Sequence, residues 1–197
     1  MSSSKEIAGI LLAGGSSTRL GKPKQMVTWQ GDYLINHMIG IIHKGGIDCL
    51  HVILGYQYQE IRRIINDPNV QIIHNNKWES GISSSIKAGI TSFKDGINGL
   101  FIFVVDQPFL DETLIRKMKD IFYNGNADIV VPRVMNQQCN PVLFRNSLFK
   151  ELLSIQGDRG GKSLIEKHCT YWVDWEDERL LLDIDIDKDY FNAESLI

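Results

Sequence analysis

Two glycines and two serines run together at Gly14-Gly15-Ser16-Ser17, and Arg19, Lys22 and Lys24 follow closely. Glycines let backbone N–H groups approach an anion with no Cβ in the way, and hydroxyls add further donors. Cations beside such a loop balance charge, so the chemistry expected is phosphate binding. A second reactive type stands at Asp106, directly after the apolar run Leu100-Phe101-Ile102-Phe103-Val104-Val105. Magnesium takes hard oxygen ligands and commonly uses one or two protein carboxylates plus substrate phosphates. Asp111 fills the helix-capping role at the next helix, which leaves Asp106 for metal. Near the C-terminus Asp183, Asp185, Asp187 and Asp189 alternate with other residues, so a strand would line them along one face.

Two better-known phosphate motifs do not fit. The pattern G-x-G-x-x-G is absent because the second glycine follows the first at once, and Asp48 is a weak anchor for it. The P-loop pattern fails twice. Gly15 and Gly21 are one residue too far apart, and Lys22 precedes a proline. Ahead of Gly161-Lys162-Ser163 the required glycine is Gln156, on a helical stretch where a strand is needed.

The elements that position these residues are legible from periodicity. Short apolar runs rich in β-branched residues at 7–13, 50–54, 70–74, 100–105 and 129–132 read as strands buried on both faces. Helical spacing predicts helices over 34–43, 60–66, 84–93, 112–123 and 147–155. Gly45-Gly46 and Asn124-Gly125 close two of them. The last third is less regular: 140–144 reads as a strand, 161–168 as a short helix and 180–186 as a strand. Alternating strands and helices predict a doubly wound, three-layer α/β/α fold with a mostly parallel, mixed sheet. Ligands of such sheets bind at the carboxyl ends of strands, where Gly14 and Asp106 both emerge.

With 197 residues and no linker or repeat, one domain is expected over 1–197. Residues 1–110 are read as its nucleotide-binding half and 111–197 as its acceptor-binding half. The formal charge of −3 lacks the basic excess that nucleic-acid binding requires. Cys49, Cys139 and Cys169 are odd in number and scattered, which suits reduced thiols. No apolar run approaches the ~18 residues of a membrane span, and no leader is read at the N-terminus. A cytoplasmic protein is expected.

The stretch Leu12-Ala13-Gly14-Gly15-x-Ser17-x-Arg19-x-Gly21 followed by Pro23-Lys24-Gln25 resembles the signature loop of the nucleotidyltransferases that activate sugars, isoprenoid precursors and pterins, with the nucleotide-diphospho-sugar transferase-like fold. Asn75 to Gly89 (Asn-Asn-Lys-Trp-Glu-Ser-Gly-Ile-Ser-Ser-Ser-Ile-Lys-Ala-Gly), Asn140-Pro141-Val142-Leu143-Phe144 and Gly157-Asp158-Arg159-Gly160-Gly161 look like segments of molybdenum cofactor cytidylyltransferases within the MobA-like family. That resemblance implies transfer of CMP from CTP to the terminal phosphate of molybdopterin, with Mg²⁺ as cofactor and an apo-molybdoenzyme as a further partner. It implies catalytic roles for Arg19, Lys24 and Asp106. Nucleotide would rest on Leu12, Ala13, Gly14, Gly15, Ser16, Arg19 and Lys24, and on Gly81, Ser83 and Ser85. Metal would bind Asp106 and Asp185, the latter by alignment with the family's Asp-Ile-Asp ending. Acceptor contacts fall on Asn140, Pro141, Asp158 and Arg159.

Asp183, Asp187 and Asp189 are read as a solvated edge, and His37, His43, His51, His74 and His168 as structural or surface residues. Gly14 stands where the cytidylyltransferases more often carry Ala and matches the form of GTP-using guanylyltransferases. Cys139 likewise replaces a usual Gly. The alternatives are therefore a molybdopterin guanylyltransferase, a cytidylyltransferase acting on a sugar or polyol phosphate, or a non-catalytic accessory protein that binds the cofactor.

Overall fold

Runs that alternate large apolar residues on both sides of a strand must be covered twice, and the first strand shows how this is met. The computed structural model describes residues 6–17, 21–93, 96–158 and 160–196. Strand β1 (Glu6–Ala13) sends Ile7 and Leu11 into one core and Ala8, Ile10 and Leu12 into another on the opposite face. A short hairpin of β2 (Thr28–Trp29) and β3 (Asp32–Tyr33) leads into α1 (Leu34–Lys44) and β4 (Leu50–Leu54). Then come α2 (Tyr58–Ile64), β5 (Gln71–His74), α3 (Ile82–Ser92), β6 (Ile97–Val104) and α4 (Glu112–Asn124). The remainder is β7 (Ile129–Val134), β8 (Gln137–Gln138), β9 (Val142–Arg145), α5 (Phe149–Ser154), α6 (Lys162–Ile165), β10 (Thr170–Asp174) and α7 (Asp187–Glu194).

The principal sheet runs β10-β7-β9-β6-β1-β4-β5, with β8 paired to β7. The pairs β1/β4, β1/β6, β4/β5 and β7/β10 are parallel, whereas β9 is antiparallel to both β6 and β7. This is the expected three-layer, mostly parallel mixed α/β sheet. Helices α1, α2 and α4 cover one face through residues such as Met38, Ile61 and Met118. Helices α3, α5 and α6 cover the other through Ile86, Leu152 and Ile165. The parallel register of β4, β1 and β6 brings their carboxyl ends together, which places Gly14, Gly55 and Asp106 along one edge of the sheet.

Helix α4 begins at the cap expected for it, since the Asp111 side chain accepts from the Thr113 N–H at 2.6 Å. The C-terminal third departs from the sequence reading. Instead of a strand over 180–186, Glu178–Leu181 forms a 3-10 turn capped by Asp177, and the chain then runs without a sheet partner. Its alternation has a different cause: Ile184 is buried against the core while the flanking acids face elsewhere. Strand β10 was not expected. Its Tyr171 and Trp172 are exposed and only Val173 is fully buried, so an edge strand here carries little periodic signal.

Candidate active site

The loop after β1 is held by its carbonyls. The Gly14 oxygen accepts from the Tyr56 N–H at 3.0 Å. Gln25, which is 1 % exposed, donates its side-chain Nε2–H to the Ala13 oxygen at 2.6 Å and to the Gly15 oxygen at 3.4 Å. A planar trans peptide points each following N–H the opposite way. The N–H groups of Gly14, Gly15 and Ser16 therefore turn from these partners in a loop that lines a cleft of about 460 Å³. Ser17 adopts a left-handed conformation (φ 50) and its Oγ accepts from the Lys24 N–H at 3.1 Å, which folds the basic segment back over the loop. Arg19 lies outside the described residues.

Across the cleft, β6 delivers Asp106. The turn behind it is fastened by His37, whose Nε2 lies 2.9 Å from the Pro108 oxygen. Burial pushes the His37 pKa down, so the ring is neutral and donates there. The C-terminal segment docks beside it: the Ile184 N–H donates to the Asp106 oxygen at 2.9 Å. Asp189 Oδ2 then accepts from the N–H groups of Asp185 and Ile186, at 3.0 and 2.9 Å, capping α7 and setting the Asp185 backbone. Lys24 Nζ meets both acids. It donates to Asp106 Oδ2 at 2.8 Å and pairs with Asp185 Oδ1. Burial alone would lower the Lys24 pKa, but the two carboxylates outweigh it and hold the ammonium above its ordinary value. Asp183 reaches solvent on one side, yet surrounding protein and the Asp106 charge push its carboxyl up to about 6 while Gln107 Nε2 donates to it at 3.0 Å. Asp183 is exposed, as the solvated-edge reading expects, although it also holds Gln107; Asp189 is half-buried and caps α7, which departs from that reading. The Asp187 side chain is not among those described.

The remaining wall is the start of α3. Asn75 Nδ2 donates to the hydroxyls of Ser84 and Ser85, at 2.8 and 3.0 Å. Gly81 precedes the helix at φ 91, and a Cβ there would lie 2.5 Å from Asp158 Oδ1. That oxygen accepts the Ile82 N–H at 3.1 Å, so Asp158 caps α3 from the cleft rim. Of the residues singled out by sequence, Leu12, Gly14, Gly15 and Ser16 line the cleft with Lys24 and Asp106, as do Gly81, Ser85, Asp158 and Asp185. Ala13 and Ser83 are buried behind it. Asn140 faces an adjoining pocket of about 160 Å³ that shares Leu12, Ile82 and Val104 with the cleft. Pro141 follows a cis bond to Asn140 and borders neither space. Arg159 lies outside the described residues. Periodicity could not reveal Gln25 or Asp189, because their value lies in contacts with backbone distant in sequence or hidden by a local cap.

Loop N–H groups turned from the carbonyl partners, the Lys24 ammonium and two converging carboxylates, all on residues that line the cleft, suit a polyphosphate with a divalent cation. Comparison with known proteins agrees on the kind of chain this is. Residues 9–171 match the model of the MobA-like NTP transferase domain. The chain belongs to that family. A molybdenum cofactor cytidylyltransferase of Escherichia coli is 25% identical over 93% of this chain and 93% of its own. A nicotine blue oxidoreductase of Paenarthrobacter nicotinovorans is 26% identical over 91% of this chain and 92% of its own. The crystal structure of Rv0371c from Mycobacterium tuberculosis superposes with a TM-score of 0.87 at 23% identity, covering 96% of this chain and 98% of that one. Relatives at 25% and 26% identity carry different names, so family membership leaves the reaction to the chemistry of the site.

Proposed function

We propose that the protein transfers CMP from CTP to the terminal phosphate of molybdopterin. An oxygen of the acceptor phosphate attacks the α-phosphorus, the bond from that phosphorus to the oxygen bridging to the β-phosphorus breaks, and pyrophosphate leaves. The observation that carries this reading is the meeting of Lys24, Asp106 and Asp185 beside the turned-out amides of the glycine loop. The loop amides and Lys24 bind the triphosphate, and Arg19 adds a second cation by family resemblance. Two carboxylates from separate elements already close on one cation with hard oxygen donors, a set that fits magnesium. Asp106 and Asp185 would hold it, and when bound it neutralises charge on the triphosphate and the departing pyrophosphate. Lys24 stands where the two carboxylates would hold magnesium, so on this reading it turns from them toward the phosphates as metal and nucleotide bind. The attacking phosphate is already anionic, and positioning with fixed charge suffices without a general base.

CTP as donor is supported by the cytidylyltransferase relative and by the serine-rich start of α3. One feature favours GTP as a second reading. A Cβ on Gly14 would stand 3.3 Å from Ser85 Oγ and 3.4 Å from the Gly55 nitrogen, so the loop packs there more tightly than an alanine readily allows, and the Leu-Ala-Gly-Gly form it keeps is the one that resembles GTP-using guanylyltransferases. The acceptor is assigned to the pocket bordered by Asn140, with Asp158 on the rim of the cleft that adjoins it, and with Arg159 and Pro141 added by family resemblance alone. Pyrophosphate release from CTP or GTP, with MgCl₂ and molybdopterin, separates the readings. Release with CTP is expected; turnover with GTP alone would sink the cytidylyl assignment, and none with either would favour a binding protein. Asp106→Ala should cut turnover by at least about 10²-fold with an unchanged melting profile.

A further inference from the structure

We infer that Gln25 is a positioning residue that aims the phosphate-binding amides of the glycine loop. This rests on the nucleotide reading above and names a residue to which that reading gives no role. Gln25 sits in a 3-10 turn, Lys24–Met26, directly after the lysine that pairs with the acids. One short turn thus brings both the cation and the clamp to the loop. Its carboxamide reaches the Ala13 and Gly15 oxygens, two carbonyls on the same side of alternate peptides. The assignment of Nε2 to that side follows from the partners, because a carboxamide oxygen facing two carbonyls would repel both.

The core does not explain a glutamine at this position. The side chain is 1 % exposed, and among the described residues its Oε1 is buried with no hydrogen-bond partner. A buried orphan acceptor is costly, so an apolar side chain of the same length would serve packing better. What only the carboxamide supplies is a donor to two loop carbonyls. Each such bond fixes the plane of one peptide, and the N–H groups of Gly14 and Ser16 then face away from Gln25. Released, those peptides can rotate, and donors lose the alignment that a preorganised anion site depends on.

The test uses the full chain and the substitution Gln25→Met, which keeps length and removes the donor. Calorimetric titration with CTP and GTP in MgCl₂ identifies the triphosphate that wild type binds better. Saturation-transfer NMR measures the matching nucleoside. We expect Gln25→Met to bind that triphosphate at least tenfold more weakly while nucleoside affinity and melting temperature stay at wild-type values. Gln25→Glu should bind it more weakly still, since a carboxylate would oppose both carbonyls and phosphate. Wild-type affinity in Gln25→Met overturns the inference and leaves the proposed function standing. So does an equal loss for triphosphate and nucleoside with a lowered melting temperature, which marks a structural residue. A wild type that binds neither triphosphate removes both. Should the variant fail to fold, the side-chain amide protons of Gln25 in the wild type decide: slow exchange and a shift on adding triphosphate but not nucleoside support the clamp, and rapid exchange overturns it.

Discussion

Lys24 holds two acids that come from elements 82 and 161 residues further along the chain. Its ammonium occupies the point on which Asp106 and Asp185 converge, so it competes with any cation they would take. Lys24→Met should therefore bind Mn²⁺ several-fold to about tenfold more tightly than wild type without nucleotide, since the acids lose a partly exposed ion pair. Its pyrophosphate release should nevertheless fall. Equal Mn²⁺ affinity in calorimetry would refute the competition. His51 makes a separate residue-scale case. It is 6% exposed, stacks on Phe93 at 4.0 Å and lies 2.5 Å from Ser92 Oγ. Burial lowers its pKa, so the unfolded chain takes up a proton at a pH where the folded chain does not. The stability this contributes is complete above the unfolded value, ~6.5, and is lost as pH falls from there through the lower folded value. His51→Gln should show a shallower decline in melting temperature between neutral and acidic pH; parallel curves for the two proteins would count against it.

At the scale of elements, the C-terminal segment behaves as a clasp that carries Asp185 to the strand ends. It is fastened by the Ile184–Asp106 backbone bond, by Gln107 on Asp183 and by Asp189 on two N–H groups. Asp189→Ala leaves those N–H groups to water at a cost of about 1–2 kcal/mol, so the melting temperature should fall by only a few degrees. Asp185 would lose its fixed direction, and a misplacement near 1 Å can cost ~10²-fold in rate. Pyrophosphate release down by at least about tenfold, with Mn²⁺ affinity lowered in parallel, is the expected result. Wild-type turnover would show that the cap serves only α7.

For the whole molecule, the sheet joins what the sequence divides. Antiparallel β9 pairs with β6 from Gly99 to Ile102, and it pairs again with β7. The cleft likewise takes Asp158 and Asp185 from beyond residue 110. A fragment of residues 1–110 would leave β6 as an apolar open edge, and it should show no cooperative melt and no binding of CTP or GTP. A fragment that melts cooperatively and binds nucleotide would show the halves to be separable.

The central α/β alternation was written in the sequence because strands covered on both faces leave continuous apolar runs, as at 50–54, where the reading and β4 coincide. The glycine loop and Asp106 were legible for the same reason: a strand that ends at a sheet edge puts its next residues there. The C-terminal third was not, since β10 buries one residue fully and the acids of 183–189 alternate without forming a strand. Only the tertiary structure decided that Lys24 bridges Asp106 and Asp185, that Asp183 is pressed among acids and that Gln25 holds the loop. Those facts depend on which distant groups share a small volume, and spacing along a chain carries no record of that.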